Sequence, residues 1–156
     1  MNDDETSTPG GTVEAARAPT LLYLMKQVEL AVRARLDELV RPAGLTALQY
    51  TAMTVLEGHP DLTSSHLARR SFVTAQSMSD MVATLESRGL IERHRDPADR
   101  RRLALALTPA GRGLLARHRP QVDLLEAEML ADLSEPESLE LRRLLDMCRQ
   151  SLARKG

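Results

Sequence analysis

The apolar positions of this chain follow two periods, and the change between them organises the sequence. From Thr20 to Val40, Leu21, Leu24, Met25, Val28, Val32, Leu36 and Leu39 recur at helical spacing. Arg41-Pro42-Ala43-Gly44 ends that helix. Thr46 and Gln49 stand at capping-box spacing and restart it, with Leu45 placed to staple onto Tyr50. This second helix is predicted to run to about Glu57 and stop at Gly58-His59-Pro60. Thr63 then caps a short helix ending near Arg70, and Ser71-Phe72-Val73 forms a tight turn. Thr74 caps the next helix, whose apolar stripe is Met78, Met81, Val82 and Leu85, with Gly89 as its stop.

The period then becomes two. Leu90 to Arg95 reads as a short strand, and Leu103, Leu105 and Leu107 alternate with Arg102, Ala104 and Ala106 in a second. The six residues between them, Asp96 to Arg101, make a charged hairpin tip. Helical spacing returns after Thr108-Pro109, a cap and a favoured first residue. That helix is expected to reach about Asp132 with a kink at Pro120. Ser134 and Glu137 box the start of a last helix, expected to bury Leu141, Leu144, Leu145, Cys148 and Leu152.

The predicted fold is therefore mostly α with one small β-hairpin. A short helix, a tight turn and a capped helix form a helix-turn-helix, and the hairpin after it forms a wing. A unit of this kind places its second helix in the major groove of double-stranded DNA. The exposed face of that helix suits the task. Thr74, Gln76, Ser77, Ser79, Asp80 and Thr84 lie off the apolar stripe, and short hydroxyl and amide side chains can read base edges. The wing contributes Arg93, Arg95, Asp99, Arg100 and Arg101. The tip is expected to send one arginine into a minor groove, with its rotamer fixed by a salt bridge to Asp99, and Arg100, on the opposite face, to phosphate.

Charge sharpens this picture. The chain of 156 residues has a net charge of -1, but Leu62 to Arg102 carries eight arginines against five acids, a net of +3. A basic centre in an acidic frame fits an anionic partner. Composition excludes other classes. One cysteine permits no intrachain disulfide and no cysteine-based metal cluster. His59, His66, His94 and His118 are scattered, so no metal site and no cofactor is expected. No enzyme motif is present, and no apolar run approaches the ~18 residues of a membrane span. Residues 1–19 read as a disordered acidic tail without the features of a signal peptide, which makes the expected location cytoplasmic.

The run from Leu62 to Gly113 resembles the MarR family of bacterial transcription regulators. The resemblance rests on Leu67-Ala68, Leu85-Glu86-Ser87-Arg88-Gly89-Leu90, Asp96-Pro97-Ala98-Asp99-Arg100-Arg101 and Leu107-Thr108-Pro109-Ala110-Gly111, with Leu45-Thr46 to Tyr50 upstream. The helical order agrees over residues 20–153. His66 departs from the pattern, because an acid or amide usually occupies that position. The resemblance implies one domain over 20–153, with a DNA-binding lobe at 45–108 and dimerisation helices at 20–41 and 109–153. It further implies a homodimer, a palindromic operator, release by a small aromatic or phenolic effector, and Arg101, which matches the family's wing arginine, as the side chain that enters the minor groove. Tyr23, Tyr50 and His66 are the polar residues proposed for that effector. Peroxide-sensing members carry a reactive cysteine near the start of the first long helix. Here Cys148 falls on the last helix, where it is expected to be buried and structural. The alternative is a winged-helix protein-interaction module without an operator, since fold alone does not fix function.

Overall fold

The computed structural model describes residues 18–154, so most of the expected N-terminal tail lies outside the described residues. Six helices and one hairpin follow in order. They are α1 (Leu21–Val40), α2 (Ala47–Gly58), α3 (Ser64–Arg70), α4 (Ala75–Ser87), β1 (Ile91–Arg95), β2 (Leu103–Leu107), α5 (Pro109–Met129) and α6 (Glu135–Ala153). A single 3-10 turn, Arg41–Ala43, separates α1 from α2.

Local capping sets the helix starts where the sequence puts them. Thr20, Thr46, Thr63, Thr74 and Thr108 each accept a backbone N–H three residues on. Each hydroxyl thereby satisfies a donor that the first helical turn leaves unpaired. Thr46–Gln49 and Ser134–Glu137 form complete capping boxes. Gly89, at φ 68°, ends α4 in the left-handed region, and the next N–H, of Leu90, bonds back to the Leu85 carbonyl at 3.0 Å.

The core lies between α2, α3, α4, the hairpin and the first half of α5. Met53, Leu67, Met78, Leu85, Ile91, Leu105 and Leu115 are its largest fully buried members. The hairpin is antiparallel, pairing Ile91 with Leu107 and Arg95 with Leu103. Its base is anchored twice. The Leu105 N–H donates to the Leu62 carbonyl (2.9 Å), and the Thr108 hydroxyl donates to the Gly89 carbonyl (2.6 Å). Gly111 allows this second anchorage, since a Cβ there would stand 2.1 Å from the Leu90 carbonyl oxygen.

Three expectations are corrected. The alternation on β2 fails: Ala104 is fully buried and Leu103 is exposed. β2 packs against both α2 and α5, which covers both faces of its middle, while Leu103 stands at the last rung before the open tip. α5 stops at Met129 rather than near Asp132, where Leu130 to Leu133 turn instead. Pro120 lies inside α5, where the sequence puts it. The last helix buries nothing: Leu141 is half-buried, Leu144, Leu145 and Leu152 are exposed, and so is Cys148. Among the described residues, no element buries the apolar stripe of α6.

Candidate nucleic-acid interface

The six α4 residues chosen from sequence share one exposed face at the start and middle of the helix. Five of the six, all but Ser79, are also bonded in pairs or chains. The Thr74 hydroxyl donates to Ser77 Oγ (2.9 Å) while accepting the Ser77 N–H (3.1 Å). The Gln76 amide donates to Asp80 Oδ1 (3.1 Å), and the Thr84 hydroxyl donates to the Asp80 carbonyl (3.0 Å). These bonds hold the polar face in defined rotamers before any ligand arrives. Asp80 holds the Gln76 amide nitrogen, so the Gln76 carbonyl oxygen is the acceptor that this bond leaves free.

The wing residues divide into braces and free cations. Arg93 donates through Nε to Glu86 on α4 (3.0 Å), tying the hairpin to that helix. Arg95 donates to the Arg100 carbonyl (2.7 Å) across the tip. Asp99 accepts the Arg101 backbone N–H (3.0 Å), and its carbonyl accepts the Arg102 N–H (2.9 Å). The expected side-chain salt bridge between Asp99 and Arg101 is thus replaced by a turn-forming bond to backbone. An Asp in a turn reaches the amide two residues on more readily than a guanidinium at the end of a long chain. Among the described residues, neither the Arg100 nor the Arg101 guanidinium has a carboxylate within salt-bridge distance. The tip is therefore a braced loop presenting two uncommitted charges.

Sequence reasoning missed the residues that fix the lobe's posture. Arg88, at the end of α4, donates to the carbonyls of Ala43 (2.6 Å) and Gly44 (2.7 Å). That clamps α4 to the turn following α1. His94 on β1 donates to Asp61 (2.7 Å), and Arg102 donates to Nδ1 of His66 (3.2 Å). A guanidinium has no acceptor, so the His66 Nδ1 must be the acceptor there. Partners 33 to 45 residues apart leave no local pattern that could have revealed them.

The three proposed effector contacts fall on separate elements. Tyr23 lies on the exposed start of α1 with its hydroxyl accepting from Gln27 (2.9 Å). Tyr50 is buried in α2, and burial pushes its phenol pKa up against the opposing pull of Arg119. His66 sits under the wing. Two hollows occur elsewhere, one between α1 and α5 and a larger one between α2, α3 and α6, and none of the three residues lines either.

Known proteins share this arrangement. A family model described as the MarR family matches residues 43–102, from the end of the 3-10 turn to the wing. The HTH-type transcriptional repressor Rv2887 of Mycobacterium tuberculosis is 32% identical over 124 residues, spanning 80% of this chain and 89% of the relative. The transcriptional regulator HosA of Escherichia coli O111:H- is 36% identical over 93 residues, spanning 60% of this chain and 69% of its own. Among solved structures, Rv2887 in complex with salicylic acid superposes with a TM-score of 0.69 at 33% identity, covering 86% of this chain and 98% of that one. The S. aureus MepR–DNA complex does so with a TM-score of 0.74 at 25% identity, covering 85% and 96%. With a winged helix-turn-helix in place and relatives of this identity matched over most of their length, the chain belongs to the MarR family and is a DNA-binding transcription regulator, not an enzyme.

Proposed function

We propose that the protein is a cytoplasmic homodimeric repressor that binds a palindromic operator and leaves it when a small aromatic or phenolic effector binds. The observation that carries the dimer is the bare apolar surface of α1 and α6. Leu22, Leu24, Met25 and Val28 on one helix and Leu144, Leu145 and Leu152 on the other are all exposed in the single chain. A second copy would cover them and set two α4 helices about one DNA turn apart. In that complex Thr74, Gln76, Ser77, Ser79, Asp80 and Thr84 face base edges in the major groove. Arg101 enters the flanking minor groove, and Arg100 meets phosphate. The repressor reading is supported by the Rv2887 name, and the effector by that relative's salicylic acid complex. The effector would bind where the dimerisation helices meet the DNA-reading lobe.

The test has two parts. Light scattering at micromolar concentration should give twice the chain mass. Sequencing of duplexes retained from a random pool should give an inverted repeat. A monomer, or retention without any inverted repeat, would overturn the proposed homodimer on a palindromic operator.

A further inference from the structure

We infer that Arg88 is the residue that sets the spacing between the two operator half-sites. It caps the C-terminus of α4, and its own N–H donates to the Thr84 carbonyl (3.2 Å), so the side chain starts from the end of the reading helix. The guanidinium then reaches out of the lobe. It donates through Nη2 to the Ala43 carbonyl (2.6 Å) and through Nη1 to the Gly44 carbonyl (2.7 Å). Those carbonyls close the 3-10 turn that ends α1, where a helix terminus leaves acceptors unpaired and carries partial negative charge. A forked and always charged donor suits two adjacent carbonyls. Among the described residues, no other hydrogen bond joins α4 or its cap to α1 or to that turn.

The lobe is held to α1 at a second place, the joint between α1 and α2. Asp37 on α1 accepts the Ala47 N–H at the start of α2 (2.5 Å), and the two helices pack together there. A joint of that kind permits a small pivot of the lobe. Arg88 opposes the pivot from a different element, and the base-reading residues sit at the far end of a lever. α4 has 13 residues, which makes it about 20 Å long. Its N-terminus carries Thr74 to Ser77, and Arg88 stands at the other end. A pivot of roughly 10° at the clamp moves the reading end by about 3.5 Å, close to the ~3.4 Å rise of one base pair. In a symmetric dimer the same pivot occurs twice. Half-site spacing is therefore decided by a contact outside the reading face, and Arg88 acts through α4 as a positioning residue. This role rests on the dimer and the palindromic operator proposed above.

Competition binding of the full-length protein tests the role. The duplexes are the one selected from the random pool and the same sequence with one base pair added or removed between its half-sites. A fourth duplex carries a single half-site and is read at low salt. The wild type should prefer the selected spacing by about tenfold or more, because only that spacing engages both lobes. Arg88→Gln should narrow the preference to about threefold or less, with the loss confined to the selected spacing and the half-site duplex bound as by the wild type. Arg88→Lys keeps the charge without the fork and should behave like Arg88→Gln. The side chain is exposed, and unchanged melting and dimer mass would verify the fold. A wild type indifferent to spacing, or full spacing preference in either variant, overturns the role. So does an equal loss on all four duplexes, which would make Arg88 a direct phosphate contact. A pool without an inverted repeat, or a monomeric wild type, overturns the operator reading itself and the spacing role with it.

Discussion

The DNA-reading lobe and the two flanking helices α1 and α6 use their apolar residues in opposite ways. In the lobe, α2 alone buries Ala47, Tyr50, Ala52, Met53 and Leu56. In the 20 residues of α1 only Val40 is buried, and in the 19 of α6 none is. Both regions show clear helical periodicity. The difference is that the lobe's elements are short and fold back within a few residues, so each apolar face meets another from the same chain. The flanking helices extend away from that core. Their stripes are as apolar as a core helix needs, yet among the described residues of one chain nothing covers most of them. Periodicity therefore shows that a face is meant to be covered, not by which chain.

Substitutions should separate the two regions. Met53→Ala empties a fully buried position in the lobe and should cost about 2–5 kcal/mol. Chemical denaturation should show that loss with unchanged dependence on protein concentration. Leu145→Glu places a charge on the bare stripe of α6. It should leave the chain folded but monomeric by sedimentation, and lower affinity for the selected operator by roughly a hundredfold through lost bivalency. If Leu145→Glu remained a dimer, the contrast drawn here would fail.

Within the lobe the contrast can be sharpened at the wing. Arg101→Ala should cost roughly 1–3 kcal/mol of operator affinity and flatten any A·T preference at the edge of each half-site. Competition binding with edge-substituted duplexes measures both, and wild-type affinity in a folded dimer would remove the assigned role. The smallest effect is expected for Arg100→Ala. It should weaken all duplexes about equally and reduce the slope of log affinity against log salt by about one unit. A salt titration that keeps the wild-type slope would show that Arg100 meets no phosphate.

Much of the local structure of the candidate interface was legible because its signals are local. Thr74 and Ser77 lie three residues apart, and the hydroxyl that caps α4 is the one the pattern selects. The exposed face of α4 follows from where Met78, Val82 and Leu85 must point. The wing tip was legible as a turn but not in its bonding. Arg93 and Arg95 read as DNA contacts in the sequence, and the fold adds that they donate to Glu86 and to the Arg100 carbonyl. Only the folded geometry distinguishes a brace from a free cation, because the residue type is the same. Ala104 misled for a related reason: strand alternation presumes one wet face, and α2 and α5 leave the middle of β2 none.

The sequence by itself determined the order of elements, their caps, the winged helix-turn-helix and the family. Those rest on spacings of two to seven residues, which chain stereochemistry translates directly into structure. The tertiary structure alone decided that Arg88 grips the Ala43 and Gly44 carbonyls and that Gly111 must pass close to Leu90. It also decided that Arg69 and Arg149, 80 positions apart in the chain, share a cleft while Tyr23 and His66 do not. Those outcomes depend on where a long chain path returns in space, and a side chain finds its partner only after that path is set.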